Sequence, residues 1–206
     1  MRCGTSSRLL SLATALFAAC LPATAARRDA AETDVTNAAT GFTITQDVRV
    51  AGAVRDDYES AIRLLQQQQF EPGIALLVKV TEAAPAAVAP HVDLGIAYSR
   101  TGALDRAEAS LKQALLLDPD HPIANNELGM VHRRTGRFAE ARASYEKALE
   151  GYPSFHFAHR NLAILCDLYL QDYACALEHY EAYRVAVPDD RDAVKWIADV
   201  QSRQGK

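Results

Sequence analysis

The chain has 206 residues, 49% hydrophobic and 23% charged, with a formal net charge of −4. That is enough length for one domain with a real core. The acidic balance excludes a general attraction to nucleic acid, which needs a basic surplus. Alanine is abundant and β-branched runs are scarce, which favours helix over strand.

The first element, residues 1–25, has the form of a secretory signal. Arg2 and Arg8 precede an apolar run from Leu9 to Leu21, and small residues follow at Ala23-Thr24-Ala25. The run is too short for a comfortable transmembrane helix, which needs about 20 residues. A second exit is written in the same stretch. LFAAC, ending at Cys20, resembles a bacterial lipoprotein signal, with Phe17 where leucine is usual. Cys20 would then be lipidated and become the N-terminus. Either exit predicts an exported, periplasmic protein, soluble or held at a membrane by an acyl chain. Loss of residues 1–25 removes two arginines and no acid, so the remainder is more acidic still.

Residues 26–53 read as a polar, alanine-rich arm. Within it FTITQDVRV, Phe42 to Val50, alternates apolar and polar residues as an extended segment does. From Val54 the chain repeats. Pro85, Pro119, Pro153 and Pro188 are spaced 34, 34 and 35 residues apart. Apolar ladders precede each proline at matching offsets: Gly73, Leu77, Val80; Ala107, Leu111, Ala114; Ala141, Tyr145, Ala148; Ala176, Tyr180, Tyr183. An earlier stripe in each unit runs Leu94, Gly95, Tyr98; Leu128, Gly129, His132; Leu162, Ala163, Cys166. Glycine breaks the chain between the stripes at Gly102 and Gly136. These interruptions exclude one long coiled coil.

HVDLGIAY with AEASLKQALLLDP, and NELGMVH with AEARASYEKALEGYP, resemble the tetratricopeptide repeat family, a 34-residue helix-turn-helix unit. The resemblance covers residues 54–188. It implies an all-α fold, a right-handed superhelical solenoid of four units over about 54–87, 88–121, 122–155 and 156–190. First helices fall near 54–68, 88–101, 122–135 and 156–170, and second helices near 71–84, 104–118, 138–151 and 173–186. The family's tryptophan position is His91, Asn125 and His159 here, which implies partly open edges. Residues 190–206 form a capping helix, started by Asp190, that turns Val194, Ile197, Ala198 and Trp196 inward and charge outward.

Residues 156–183 invite chemistry. Cys166 and Cys175 lie nine apart beside His156, His159 and His179. His159 and Cys166 are separated by about 10.5 Å of helix rise and cannot share one ion. No CxxC or HExxH spacing occurs, so no metal and no cofactor is expected. Cys166 and Cys175 are equidistant from a turn near Leu170–Gln171, which suits either a disulfide or two buried thiols. Glu127 and Glu140 have the spacing of a solvated helix face. No catalytic triad or phosphate-binding loop is present, so an enzyme is not expected.

The resemblance instead implies a peptide-binding groove lined by the first helices. Its central positions are Arg100, Asn126, Arg133, Arg134 and Arg160 around a floor of Ile96, Met130 and Ile164. Arginine forks suit carboxylates, so the expected partner is an envelope protein offering an acidic or C-terminal segment. The family's export-competent members work in pilus assembly, secretion, outer-membrane assembly and energy transduction. The alternatives are a self-assembling structural repeat and a thiol-redox or metal protein using Cys166 and Cys175.

Overall fold

The computed structural model describes residues 33–38, 41–46 and 52–205, with side chains from residue 52 onward. The expected signal, Cys20 and the remainder of the arm lie outside the described residues. The described residues belong to one unit, Ala31–Lys206. In the arm, β1 (Thr33–Ala38) and β2 (Gly41–Gln46) pair antiparallel, with Val35 opposite Ile44. The sequence indicates an extended stretch only from Phe42; the shorter TDVTNA carries too little alternation to reveal the first strand.

Among the described residues nine α-helices follow. They are α1 (Gly52–Gln66), α2 (Phe70–Ala83), α3 (Val88–Thr101), α4 (Leu104–Leu117) and α5 (Pro122–Arg134). Then come α6 (Phe138–Gly151), α7 (His156–Leu165), α8 (Tyr173–Ala186) and α9 (Arg191–Gln204). Each hairpin α1–α2, α3–α4, α5–α6 and α7–α8 packs on the next, so this is an all-α repeat solenoid. No helix among the described residues is long and apolar enough to cross a membrane.

The repeat sequence explains the packing. In each hairpin a small residue on the first or second helix lets the partner lie close. Gly95 faces Leu111, and Gly129 faces the ring of Tyr145. Ala107, Leu111 and Ala114, then Ala141, Tyr145 and Ala148, are fully buried. The turns between paired helices place Gln68, Gly102, Gly136 and Gln171 in the left-handed region, at the same repeat position.

The former tryptophan column stitches repeats together. His91 Nε2 donates to the carbonyl of Pro85, Asn125 Nδ2 to Pro119 and His159 Nε2 to Pro153, at 3.2, 3.0 and 2.8 Å. Each polar side chain reaches back six residues to the proline that closes the preceding unit, where the sequence suggested an open edge. A second column crosses between hairpins. Ile74, Glu108 and Arg142 occupy one repeat position. Glu108 meets Arg137 and Lys112, which hold its carboxyl down at about 2. Arg142 meets Asp172 at 2.7 Å. The sign of the pair inverts from one junction to the next, so neighbouring junctions are not interchangeable.

The fourth unit carries one extra residue. It is absorbed as a π-helical turn, Cys166–Leu170, that continues α7. The turn ends at Gln171, with the Asp172 N–H donating to the Cys166 carbonyl at 2.9 Å. Across it Cys166 and Cys175 are joined by a disulfide, with Cα atoms 5.9 Å apart. Asp172 caps α8 by accepting from the Cys175 N–H, and Arg142 donates to Asp172 and to Cys166 Sγ.

The capping helix differs from expectation. Its buried stripe is Ala193, Ile197 and Val200, an i, i+4, i+7 spacing, and Val194 and Ala198 face outward. Trp196 is half-buried against Tyr180 and Tyr183. Asp190 caps the helix through the Asp192 N–H, and Arg203 fixes its far end to the buried Asp167 at 2.6 Å.

Candidate functional site

The first helices α3, α5 and α7 present one continuous face, and between α5 and α7 it opens into a cavity of about 290 Å³. The local sequence sets its geometry. Pro122 starts α5 at a position that needs no N–H, and His121 Nδ1 accepts from the Ala124 N–H. Ile123, Asn126, Glu127 and Met130 then follow on one helical face. From the other side come Phe155, Phe157, Arg160 and Asn161. Phe155 is buried with Ala148 and Ala158. Phe157, 43% exposed, stands edge-on to it with ring centroids 5.8 Å apart. The cavity thus has an aromatic and aliphatic wall and a short polar rim.

The polar groups form a directed chain. Asn161 Nδ2 donates to Asn126 Oδ1 at 2.9 Å, and Asn126 Nδ2 donates to Glu127 Oε1 at 3.4 Å. Burial raises the Glu127 carboxyl above its usual range, opposed by the Asn126 bond and the charge of Arg100. Glu127 therefore does not sit on a solvated face, as its spacing suggested. It is half-buried at the cavity wall.

The expected arginine cluster is dispersed. Arg160 lines the cavity, but its guanidinium lies over the Tyr183 ring. Arg134 is drawn onto Ser99, donating to its carbonyl at 2.6 Å and its hydroxyl at 3.0 Å. Arg133 lies over the Tyr169 ring. Arg100 is exposed at the end of α3. Of the expected floor, Met130 lines the cavity, whereas Ile96 and Ile164 pack into two separate core clusters. Long side chains choose their partners only once neighbouring repeats are stacked, so the spacing of arginines along one helix did not reveal where their charges go.

A second cross-repeat contact lies on the same face. Tyr58 donates to Asp93 at 2.5 Å. Burial pushes the Asp93 carboxyl up to about 6, partly opposed by this bond, and the Tyr58 hydroxyl stays protonated. A raised folded-state pKa means the folded chain holds this proton more tightly than the unfolded chain. The stabilisation is complete below the ordinary aspartate range and is lost as pH rises through about 6. Tyr58→Phe is expected to cost about 1–2 kcal/mol at pH 7 and less at pH 4.5, where Asp93 carries a proton. Urea titrations at the two pH values measure this, and in them Asp93→Asn should flatten the change in stability.

Among the described residues, the cysteines and histidines do not assemble a metal centre. Cys166, Asp172 and Cys175 place ligand atoms within 4.8 Å of one another, but the disulfide consumes both thiolates. His179 Nδ1 instead meets His159 Nδ1 at 3.0 Å.

A profile of the tetratricopeptide repeat family matches residues 92–154. No curated protein sequence matches the chain. Among solved structures, the crystal structure of MamA is similar over 70% of this chain and 84% of its own, with 23% identity and a TM-score of 0.64. PilF from Pseudomonas aeruginosa is similar over 74% of this chain and 69% of its own, with 20% identity and a TM-score of 0.68. The first tetratricopeptide domain of Spaghetti (RPAP3), solved with the HSP90 peptide SRMEEVD, is similar over 58% of this chain and 96% of its own, with 18% identity and a TM-score of 0.55.

Proposed function

Because the chain is a tetratricopeptide repeat protein, we propose that it is a non-catalytic adaptor of the bacterial cell envelope that holds a segment of a partner protein against its first helices. The observation that carries this reading is the cavity between α5 and α7. It offers apolar walls for one large side chain and oriented amides and a carboxylate for the backbone or a neighbour. Such a mixture fixes both the identity and the direction of a bound chain. Peptide binding on this fold in the Spaghetti structure supports the reading.

The envelope location rests on the signal-like residues 1–25 and is supported by the disulfide in the last repeat. Expression in a bacterial host followed by osmotic-shock fractionation tests it. The processed chain should appear in the periplasmic fraction, or with membranes in a form that Cys20→Ser releases. An unprocessed chain in the cytoplasm would contradict it.

Binding is tested with a displayed library of random twelve-residue peptides, panned on the wild-type protein. Selected peptides, measured by fluorescence polarisation, should lose at least about tenfold in affinity on Met130→Arg or Phe157→Ala, since a desolvated anchor contributes about 1.4 kcal/mol or more. Ile74→Ser, on α2 away from the cavity, should leave affinity unchanged.

A further inference from the structure

The first helices are linked by a ladder whose rungs span 35 residues. Tyr58 donates to Asp93, and Asn126 Oδ1 accepts from Asn161 Nδ2. The same offset makes Val92 and Glu127 the middle rung. Asp93, Glu127 and Asn161 occupy one repeat position, and Tyr58, Val92 and Asn126 the position before it. At two rungs the earlier residue is polar and bonded across the repeat. At the middle rung it is valine, which has nothing to donate.

Glu127 therefore receives no donor from the preceding repeat. Its cross-face bond is the 3.4 Å contact from Asn126, whose own orientation is set by Asn161. The amide chain runs toward Glu127 and ends on an acceptor that lines the cavity. Among the positive groups nearby, Arg100, exposed at the end of α3, acts on Glu127 through its charge, and two others are turned elsewhere. Arg160 lies over Tyr183, whose hydroxyl is bound to Asp190, and Arg134 is held by Ser99. The apolar wall of Met130, Phe155 and Phe157 thus stands beside a carboxylate that lacks its structural donor.

We propose that this cavity selects a partner segment in which a large apolar residue is flanked by a lysine or arginine, the apolar side chain entering between α5 and α7 and the basic group closing on Glu127. The inference rests on the adaptor reading and revises its partner chemistry, since the arginines alone had pointed to an acidic or C-terminal segment. The Val92–Glu127 rung is completed by the ligand in place of the chain.

The same displayed library decides it. Selected peptides should carry Lys or Arg within two residues of Leu, Met, Ile or Phe. Glu127→Gln, which keeps the shape and the Asn126 contact, should weaken them about tenfold. A peptide with its basic residue replaced by norleucine should bind wild type and Glu127→Gln alike. Selected peptides dominated by Asp, Glu or a free terminal carboxylate would overturn the proposal, as would equal affinity of basic peptides for wild type and Glu127→Gln. In those outcomes a loss of binding on Met130→Arg keeps the groove reading. If Met130→Arg also binds normally, the groove reading falls with it.

Discussion

Gly129→Val is expected to destabilise the protein by about 3 kcal/mol, the upper end of the usual cost of overpacking. A Cβ at Gly129 would lie 2.5 Å from Tyr145 Cε1 and 2.6 Å from Cδ1. The Tyr145 ring is fully buried and rigid, so it cannot step aside as a flexible chain end would. Valine gains a few tenths of a kcal/mol over glycine in helix propensity, far less than the clash costs. Gly151→Ala provides the contrast. Its nearest neighbour is the Asp120 carbonyl at 3.6 Å, so alanine fits and the change should be neutral or stabilising by up to about 0.5 kcal/mol. Urea titrations followed by circular dichroism read both. An unchanged midpoint for Gly129→Val would show that the α5–α6 hairpin is not packed this closely.

The second large effect is loss of the disulfide. Closing a loop between residues nine apart restricts the unfolded chain by about 2.5 kcal/mol in the loop-entropy account. Cys166→Ala with Cys175→Ala, or reduction of the wild type, should lower the melting temperature by about 5–10 °C. The double variant should not respond to reductant. Cys166 is fully buried beside Leu162, Leu165 and Ala176, so alanine there also leaves a small cavity, and the variant should lie at or below the reduced wild type. A wild type indifferent to reductant would mean the two sulfurs are not bonded in solution. The cross-link also fixes the π-helical turn that holds Asp167 against Arg203. Its loss should therefore loosen the cap helix before the central repeats.

The solenoid was legible because its determinants are local and periodic. Prolines at 34-residue spacing, small residues at Gly95 and Gly129 and turn glycines at Gly102 and Gly136 dictate helix ends and close approach, whatever lies on the other face. The extra residue of the fourth unit was also visible, but its form was not. A thiol pair on a hairpin leaves bonded and free states open until the π turn sets the distance between the Cα atoms.

The candidate site was less legible for a different reason. Met130, Asn126 and Arg160 follow from the repeat register, but Glu127 and Asn161 lie one position outside it. Their role depends on contacts 35 residues away. The column Asp93, Glu127, Asn161 was the available signal: polar residues recur at 34-residue spacing, each directly before a leucine of the repeat stripe, Leu94, Leu128 and Leu162. Arg133 and Arg134 misled because a charge at a helix end says nothing about whether Tyr169 or Ser99 will receive it. Val194 and Ala198 misled because α9 could turn either of two apolar stripes that share Ile197 inward, and packing on α8 selected the one through Ala193 and Val200.

A partner segment bound in the cavity between α5 and α7 would lie against Phe157. Replacing Phe157 by the photoreactive benzoylphenylalanine tests this most directly, because the reagent keeps the ring that forms the cavity wall. Irradiated with a labelled peptide selected from the library, the protein carrying it at position 157 should cross-link in high yield, and Met130→Arg should abolish the product. The same reagent at position 116, on the exposed flank of α4, should give little. Equal yields from the two positions, or a product at 157 that persists with Met130→Arg, would place the peptide elsewhere and contradict the account.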